Sequence, residues 1–152
     1  MSTFTVSETK LIDAPAERIY GLLADYHTGH PSVLPKPYFT DLQVTQGGRG
    51  AGTQIVVHMN VYGSKATYNM VVTEPVPGRV LQEEDKGLGV VTTFTIDPLT
   101  PQGSQVTIST TSPVKNGLAG WLEQKITAAV MRRVYRAELD QIARVSQQKS
   151  VG

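Results

Sequence analysis

The stretch KNGLAGWLEQKITAAVMRRVYRAELDQIARVSQ, Lys115–Gln147, decides which fold the chain can adopt. It contains no proline, and no glycine after Gly120, so the strongest helix breakers are absent from most of it. At a rise of 1.5 Å per residue, such a helix is about 45 Å long and crosses a small domain from end to end. We therefore predict one long C-terminal helix that covers the rest of the structure.

The predicted helix carries two apolar stripes, although a helix that lies on one sheet needs only one. We assign the continuous stripe to the sheet: Trp121, Ala128, Met131, Tyr135, Leu139 and Ile142. The second stripe lies about a third of a turn or more away and comprises Leu118, Leu122, Ile126, Ala129 and Val130. We expect the segment Asp25–Phe39 to cover the first half of the second stripe and to act as a lid over a cavity mouth.

Six segments before this helix are predicted to be strands, because they are rich in β-branched and aromatic residues and are bounded by glycine and proline. They are FTDLQVTQ (39–46), TQIVVHMNVY (53–62), KATYNMVVTE (65–74), RVLQEED (79–85), VVTTFTID (90–97) and SQVTISTT (104–111). Their connections are hairpin-sized, which indicates an antiparallel meander. The N-terminal segment Thr3–Ile12 alternates well enough to predict a further strand.

A short helix is predicted after the first strand. We expect Asp13 to cap it, Pro15 to lie in its first turn, and Gly29 and Pro31 to end it. Since only the C-terminal helix is long enough to cover the sheet, the fold class is α+β, with a curved antiparallel sheet of about seven strands that grips that helix. With 152 residues, the chain 1–152 is expected to form a single domain.

Alternation along the strands predicts which side chains face the helix. In the second of the six strand segments, Ile55, Val57, Met59 and Val61 share one face, so His58 is expected on the other. The same test gives an inward set on the later strands, namely Tyr68, Met70, Val72, Leu81, Phe94, Ile96, Val106 and Ile108. These side chains are the predicted core of the sheet.

Glu83 shares the parity of Leu81, which leaves two interpretations. In the first, its carboxylate points into an apolar concavity, where it needs a partner or a raised pKa. In the second, which we favour, the strand has already reached the open end of the sheet. Glu83, Glu84 and Asp85 are then simply solvated.

Charge and composition exclude several classes of function. The formal net charge is +1, too balanced for the basic surface that attracts nucleic acid, so we expect no nucleic-acid partner. The absence of cysteine excludes disulfides, thiolate zinc sites and cysteine nucleophiles. The N-terminus lacks the features of a signal peptide, and no apolar run approaches the roughly 18 residues of a membrane span. A cytoplasmic protein without a transmembrane segment is therefore expected.

Four stretches resemble a known family: IDAPAERIYGLLAD (12–25), YHTGHPSVLP (26–35), TEPVPG (73–78) and YRAELDQI (135–142). They make the chain similar to the START-like, Bet v 1-like helix-grip superfamily (SRPBCC), in particular to its polyketide cyclase and dehydrase-type bacterial members. The resemblance implies the fold described above, with a deep ligand cavity between the sheet and the long helix. It does not select one function, because the superfamily includes lipid and hormone carriers, aromatase/cyclases, oxygenase domains and co-chaperones.

We expect this cavity to bind a small hydrophobic ligand, lipid-, polyketide- or isoprenoid-like, with the protein acting as a carrier or sensor. The residues expected to contact the ligand are Tyr26, His30, Leu34, Val57, Met59, Tyr68, Met70, Leu81, Phe94, Trp121, Lys125, Ala128 and Met131. Lys125 lies one helical turn from Trp121. Its ammonium group either pairs with Glu83 or with an anionic head group of the ligand, or it lies at the surface.

Two alternatives stay open. The first is a polyketide cyclase/aromatase or dehydratase-like enzyme in which His30, Tyr26 or Glu83 performs acid–base chemistry, since histidine titrates near neutral pH. We favour binding without assigned catalysis over this alternative. The second is an interaction module that forms a homodimer through the second stripe of the C-terminal helix.

Neither a metal nor a cofactor is expected. The spacing of Asp25, His27 and His30 suggests a metal site, but Pro31 disfavours the helical conformation that would bring both histidines to one face. We instead expect His27 at the surface and His30 at the cavity rim. The glycine-rich GGRGAGT (47–53) joins two strands and lacks the lysine of a phosphate loop, so it is predicted to be a hairpin turn.

Overall fold

A computed structural model describes residues 2–114 and 117–148, except for the side chains of Leu118, Ala119 and Trp121. In chain order, the elements are β1 (Thr3–Ile12), α1 (Ala16–Ala24), α2 (Gly29–Val33), β2 (Phe39–Gln46), β3 (Gln54–Val61), β4 (Ser64–Val76), β5 (Val80–Asp85), β6 (Val90–Thr100), β7 (Gly103–Pro113) and α3 (Gly117–Ser146). The predicted order of elements is confirmed. Lys115, the first residue of the predicted long helix, lies outside the described residues.

The seven strands form one sheet in the order β1-β7-β6-β5-β4-β3-β2, and every neighbouring pair is antiparallel. Alternate residues along β5, β6 and β7 are buried, as the period of two requires for a sheet with one covered face. Register shifts interrupt the ladders of β2, β4 and β6, and such irregularities bend strands. This is the predicted curved sheet that grips a long helix.

β4 and β6 each extend past a proline before which the predicted strand ends. β4 continues through Pro75 to Val76, and β6 continues through Pro98 to Thr100. A register shift occurs at both places, and proline is tolerated in a strand where the ladder is already interrupted. The turns that follow are correspondingly shorter than the sequence suggests.

The inward faces of the strands agree with the predicted alternation. Ile55, Val57 and Met59 are buried on β3, while His58 lies between them on the outer face and contacts Thr67 Oγ1 through Nδ1 at 3.0 Å. The later strands contribute the buried side chains of Met70, Val72, Leu81, Phe94, Ile96, Val106 and Ile108, with Tyr68 half-buried. These side chains form one core with the C-terminal half of α3.

The start of the short helical region differs from the prediction. Pro15, not Asp13, occupies the N-cap of α1, and no side chain caps the helix. Instead, the carbonyl oxygen of Pro15 accepts hydrogen bonds from the backbone N–H groups of Arg18 and Ile19. The end of the region also differs, because α1 ends at Ala24 and a second helix, α2, follows.

Pro31 does not end the helical region but lies within α2. The expectation that the residue before proline avoids a helix is therefore wrong for His30. The backbone N–H of His30 donates to the carbonyl oxygen of Asp25 at 2.7 Å. The carboxylate of Asp25 accepts hydrogen bonds from the backbone N–H groups of His27, Thr28 and Gly29, which orders the turn before α2. This local network outweighs the conformational preference imposed by proline.

The glycine-rich connection 47–53 is the predicted turn between β2 and β3, and it also holds the end of α1. The carbonyl oxygen of Gly48 accepts from the N–H of Tyr26, and the N–H of Gly50 donates to the carbonyl oxygen of Ala24, both at 2.9 Å. A Cβ atom at Gly48, whose φ is +145°, would collide with the imidazole of His27. Glycine is thus required there for the close approach as well as for the backbone conformation.

The two apolar stripes of α3 have different surroundings. Tyr135, Leu139 and Ile142 of the sheet-facing stripe are buried, as predicted, and Ala128 and Met131 are half-buried. The side chain of Trp121 lies outside the described residues, as does that of Leu118 in the second stripe.

The prediction that Asp25–Phe39 covers the second stripe is wrong at Leu122 and Ile126, which are 54% and 59% exposed. The apolar side chains of the Asp25–Phe39 segment turn inward instead. Val33 is fully buried in the core, and Leu34 and Phe39 line the cavity described below. They therefore do not cover Leu122 and Ile126.

Candidate functional site

A cavity of about 110 Å³ lies between the concave face of the sheet and α3. Its wall is mainly apolar, with polar side chains at a few places. The described lining residues are Phe4, Val6, His30, Leu34, Phe39, Leu42, Val57, Met59, Tyr68, Met70, Glu83, Val90, Thr92, Phe94, Thr110, Ser112, Thr127, Met131, Tyr135 and Glu138. Every strand of the sheet, together with α2, α3 and the segment after α2, contributes to this wall.

The structure brings most of the predicted contact residues together around this cavity. Those in its wall are His30, Leu34, Val57, Met59, Tyr68, Met70, Phe94 and Met131. Tyr26 and Leu81 are buried without lining it, Ala128 is half-buried, and Lys125 is exposed. The side chain of Trp121 is not among those described. Contact of these residues with a ligand stays a prediction.

His30 was expected at the cavity rim, but its side chain is buried, with 2% exposure. Its Nδ1 lies 2.7 Å from the carbonyl oxygen of Leu23, and because a carbonyl can only accept, Nδ1 carries a proton. The ring stacks on Tyr26 at a centroid distance of 4.6 Å and meets the ring of Phe94 edge-on at 5.3 Å. The remaining nitrogen, Nε2, lies 3.5 Å from Oε2 of Glu83.

Glu83 is 7% exposed, so the interpretation that it is solvated is wrong. It pairs with Val72 on β4 and with Thr92 on β6, in the middle of the sheet, and its parity directs the side chain inward. The hydroxyl of Tyr26 donates to its Oε2 at 2.7 Å. Asp85 is buried too, and its carboxylate accepts a hydrogen bond from the backbone N–H of Asn69 at 2.9 Å.

Tyr26, His30 and Glu83 therefore form one buried polar cluster in and behind the cavity wall. Burial raises the pKa of the Tyr26 hydroxyl well above its usual value, and the nearby charge and hydrogen bond of Glu83 raise this pKa further. Tyr26 is accordingly a hydrogen-bond donor rather than a phenolate at neutral pH. Oε2 of Glu83 has two neighbours in this cluster, the Tyr26 hydroxyl at 2.7 Å and Nε2 of His30 at 3.5 Å.

Glu138 on α3 is a lining residue that the sequence reading missed. It is 2% exposed, and its Oε2 has no hydrogen-bond partner among the described residues. Burial raises the pKa of this carboxyl well above its usual value, and the negative charge of Glu83 raises it further. A signal was present in the sequence, because Glu138 lies seven residues after Met131 and three after Tyr135, on the sheet-facing stripe.

Hydroxyl groups form a second polar feature of the wall. The hydroxyls of Thr92 and Thr110 are hydrogen-bonded to each other at 2.7 Å, and that of Thr110 also bonds to the hydroxyl of Tyr135. Burial raises the pKa of Tyr135, so this hydroxyl also stays protonated at neutral pH. The chain of hydroxyls connects β6, β7 and α3 across the cavity wall.

The residues considered for a metal site point apart. His27 is exposed and packs against Gly48, whereas the ring of His30 is buried between Tyr26 and Phe94. Within residues 2–114 and 117–148, no group of three or more histidine, aspartate or glutamate side chains is arranged to hold a metal ion. In the same ranges, no helix is long and apolar enough to span a membrane.

A family model described as polyketide cyclase / dehydrase and lipid transport matches residues 3–147. The chain belongs to this polyketide cyclase/dehydrase family. Solved structures, one of them described as a START superfamily protein, share the fold of this chain. The family match confirms the resemblance to polyketide cyclase and dehydrase-type members seen in the sequence. Comparison with curated proteins gives no significant match.

Three solved structures illustrate the similarity of this family member to known proteins. The KanY protein, solved by NMR, is 26% identical with a TM-score of 0.85, covering 97% of this chain and 100% of KanY. The aromatase/cyclase ZhuI from Streptomyces sp. R1128 is 15% identical with a TM-score of 0.79, covering 99% of both chains. Norcoclaurine synthase from Thalictrum flavum, in complex with dopamine and hydroxybenzaldehyde, is 19% identical with a TM-score of 0.70, covering 98% of this chain and 90% of the synthase.

Proposed function

We propose that the protein binds a small, largely apolar organic molecule in the cavity between the sheet and α3, as a carrier or sensor. The observation that carries this proposal is the wall itself, in which apolar side chains surround a few buried polar groups. This combination is typical of small-molecule sites, where apolar surface supplies affinity and polar groups fix orientation. Membership of a family described by lipid transport and polyketide cyclisation supports it.

The size of the cavity limits the ligand. Cavities for drug-sized ligands measure about 300–1,000 Å³, and an engineered apolar cavity of about 150 Å³ binds benzene. At about 110 Å³, this cavity suits a ligand near the size of one aromatic ring. Met59, Met70 and Met131 lie in the wall, and their flexible side chains can repack around a somewhat larger molecule.

A titration with ethylbenzene, followed by amide chemical shifts in ¹⁵N NMR spectra, tests this proposal. We expect shifts at residues around the cavity in the wild type, and loss of binding in Met131→Trp, where the larger side chain fills the cavity. Leu122→Trp is the matched control, because it adds the same indole to an exposed position of the same helix. Equal binding by both variants, with native amide spectra, would contradict the proposal.

A second candidate function is acid–base catalysis of the cyclase or dehydratase type. The observation that favours it is the cluster of His30, Glu83 and Tyr26, in which Nε2 of a histidine with a fixed Nδ1 proton lies beside a carboxyl group at the cavity wall. Such a nitrogen can take a proton from a carbon next to a carbonyl or return one to oxygen. ZhuI, a structural neighbour, is an aromatase/cyclase.

Proton exchange into a bound ketone tests the catalytic candidate without a known substrate. We expect the wild type to accelerate deuterium incorporation into the methyl group of acetophenone in D₂O, measured by ¹H NMR. His30→Gln should lower this rate by a factor of about 10² or more, the usual contribution of a general base, while acetophenone still binds. A rate equal to that of buffer in the wild type rules out this chemistry but leaves the binding proposal intact.

A further inference from the structure

We propose that Glu138 receives the polar end of the ligand and selects a neutral ketone, aldehyde or alcohol over a carboxylate anion or an ammonium cation. The inference rests on the proposed function, since it assigns the chemical class of the molecule that the cavity binds. One buried oxygen at the cavity, Oε2 of Glu138, has no hydrogen-bond partner among the described residues. Buried polar atoms in proteins are almost always hydrogen-bonded, and leaving one without a partner is costly.

Oε2 of Glu138 is the buried side-chain oxygen that lacks a partner in the described part of the chain. Several other buried polar groups in and behind the cavity wall have partners. His30 Nδ1 donates to Leu23, Tyr26 donates to Glu83, and Thr110 bonds to both Thr92 and Tyr135. A ligand atom that enters the cavity therefore meets an available hydrogen-bonding group at Glu138.

The charges around the cavity disfavour an anion. Two lining residues, Glu83 and Glu138, are carboxylic, and neither lysine nor arginine occurs among the described lining residues. The one basic side chain among the described lining residues is His30, and its Nε2 lies 3.5 Å from Oε2 of Glu83. A carboxylate ligand would thus bring a further negative charge into a buried site without a free cation.

An ammonium cation is disfavoured because it needs an ionised partner, and Oε2 of Glu83 already accepts from Tyr26 and lies beside His30. Ionisation of Glu138 is opposed by its burial and by the charge of Glu83, which together raise its pKa. A protonated carboxyl both donates through its O–H and accepts through its carbonyl oxygen. That pattern matches a ketone or aldehyde, which accepts, and an alcohol or phenol, which does both.

The titratable groups that act electrostatically on Glu138 come from each wall of the cavity. Glu83 on β5 raises the pKa of Glu138, and Glu138 in turn raises the pKa of Tyr26 and of Tyr135. Tyr26 and Tyr135 stay neutral at pH 7 because burial raises both of their pKa values. The charge in the cavity wall that acts on Glu138 therefore comes from Glu83.

Four one-ring probes separate the ligand classes: acetophenone, ethylbenzene, benzoate and phenethylamine. At pH 7, we expect the wild type to bind acetophenone about 3- to 10-fold more tightly than ethylbenzene, the equivalent of one net hydrogen bond. Benzoate and phenethylamine should each bind at least about tenfold more weakly than acetophenone, because burying an unpaired charge costs more free energy than burying a neutral polar group. Calorimetry or ¹⁵N NMR supplies the affinities.

Variants at Glu138 assign the preference to this residue. Glu138→Leu should remove the preference for acetophenone over ethylbenzene, whereas Glu138→Gln should keep most of it, because the amide still donates. Asp140→Leu is the matched control, since it removes an exposed carboxylate from the same helix. An unchanged preference in Glu138→Leu, or tighter binding of benzoate or phenethylamine than of acetophenone, would overturn the inference.

A measurement on the wild type does not depend on the folding of any variant. The side-chain carboxyl ¹³C signal of Glu138, assigned by its loss in Glu138→Gln, should keep the chemical shift of a protonated acid at pH 7. Titration at the ordinary value of about 4.3 would overturn the inference. If ethylbenzene binds and Met131→Trp blocks it, a failure here leaves the proposed function standing. If none of the probes binds, both proposals fall.

Discussion

The two walls of the cavity each contain a buried glutamate, and the two residues differ in their partners. Glu83, on the sheet, accepts a hydrogen bond from Tyr26 and lies beside His30. Glu138, on α3, has an oxygen without a partner in the described part of the chain. Removing a buried carboxyl that has partners is costly because it leaves those partners unpaired, whereas a buried carboxyl oxygen without a partner destabilises the fold and is available to a ligand. The comparison thus separates a carboxyl that is hydrogen-bonded within the protein from one that we propose meets the ligand.

Removing each carboxyl in turn gives the largest expected effect and the most direct way to break the comparison. Glu83→Leu leaves the Tyr26 hydroxyl and the His30 ring without their partner, and should lower the free energy of unfolding by about 3 kcal/mol. Glu138→Leu removes a group that has no partner at Oε2, so it should raise the free energy of unfolding by about 1 kcal/mol. Urea denaturation of both variants measures the difference. Losses of equal size would contradict the assignment.

Tyr26→Phe sharpens the description of the sheet wall by removing only one hydrogen bond. The phenol donates to a carboxyl in a buried site, so its loss should lower the free energy of unfolding by about 2 kcal/mol. Tyr62→Phe serves as the control, because that hydroxyl bonds to Arg133 at the exposed surface and its loss should change stability by less than about 0.5 kcal/mol. Equal effects of the two variants would show that the buried bond contributes little.

The pH dependence of stability distinguishes the two carboxyls further. The pKa of Glu138 is raised in the folded protein, so the folded state holds this proton more tightly than the unfolded state does. The stability gained from this proton is fully present below the unfolded pKa of about 4.3 and is lost as the pH rises through the folded pKa. The advantage of Glu138→Gln over the wild type should therefore grow with pH, by at most about 1.4 kcal/mol per pH unit. Urea denaturation between pH 4 and 7 checks it. A pH-independent difference would indicate an ordinary pKa.

The smallest effect is expected at the exposed stripe of α3, which contrasts with the buried face of the same helix. Replacing Leu122 and Ile126 by serine should change the free energy of unfolding by less than about 0.5 kcal/mol per site, as for most surface positions. Light scattering after size-exclusion chromatography reports the mass of each form. A dimeric wild type that becomes monomeric on this replacement would support the homodimer that the sequence leaves open as an alternative.

The fold followed from the sequence because its determinants are periodic. Strand parity placed Val57, Met70 and Phe94 inward, and a long segment without proline gave α3. These patterns depend on local spacing and on the burial of one face, which a single sequence records directly. The prediction that Pro31 ends the helical region is wrong, because a local hydrogen-bond network at Asp25 outweighs the usual preference of the residue before proline.

The candidate site was predicted less completely because it depends on contacts between distant elements. Parity allowed Glu83 to point inward, but its solvated alternative could be rejected only after Tyr26 and His30, more than 50 residues earlier, were seen beside it. Glu138 lies on the apolar stripe of α3 and was passed over because apolar residues alone were used to define that stripe. A charged residue at a core-facing position is the signal to look for in related chains.

The most direct test of the central claim is a crystal structure of the protein with acetophenone. We expect the ring among Met59, Met70 and Phe94, with the ketone oxygen about 2.5–3.0 Å from a carboxyl oxygen of Glu138. A ligand found instead on the exposed stripe at Leu122 and Ile126, or a ketone oxygen directed away from Glu138, would contradict the account.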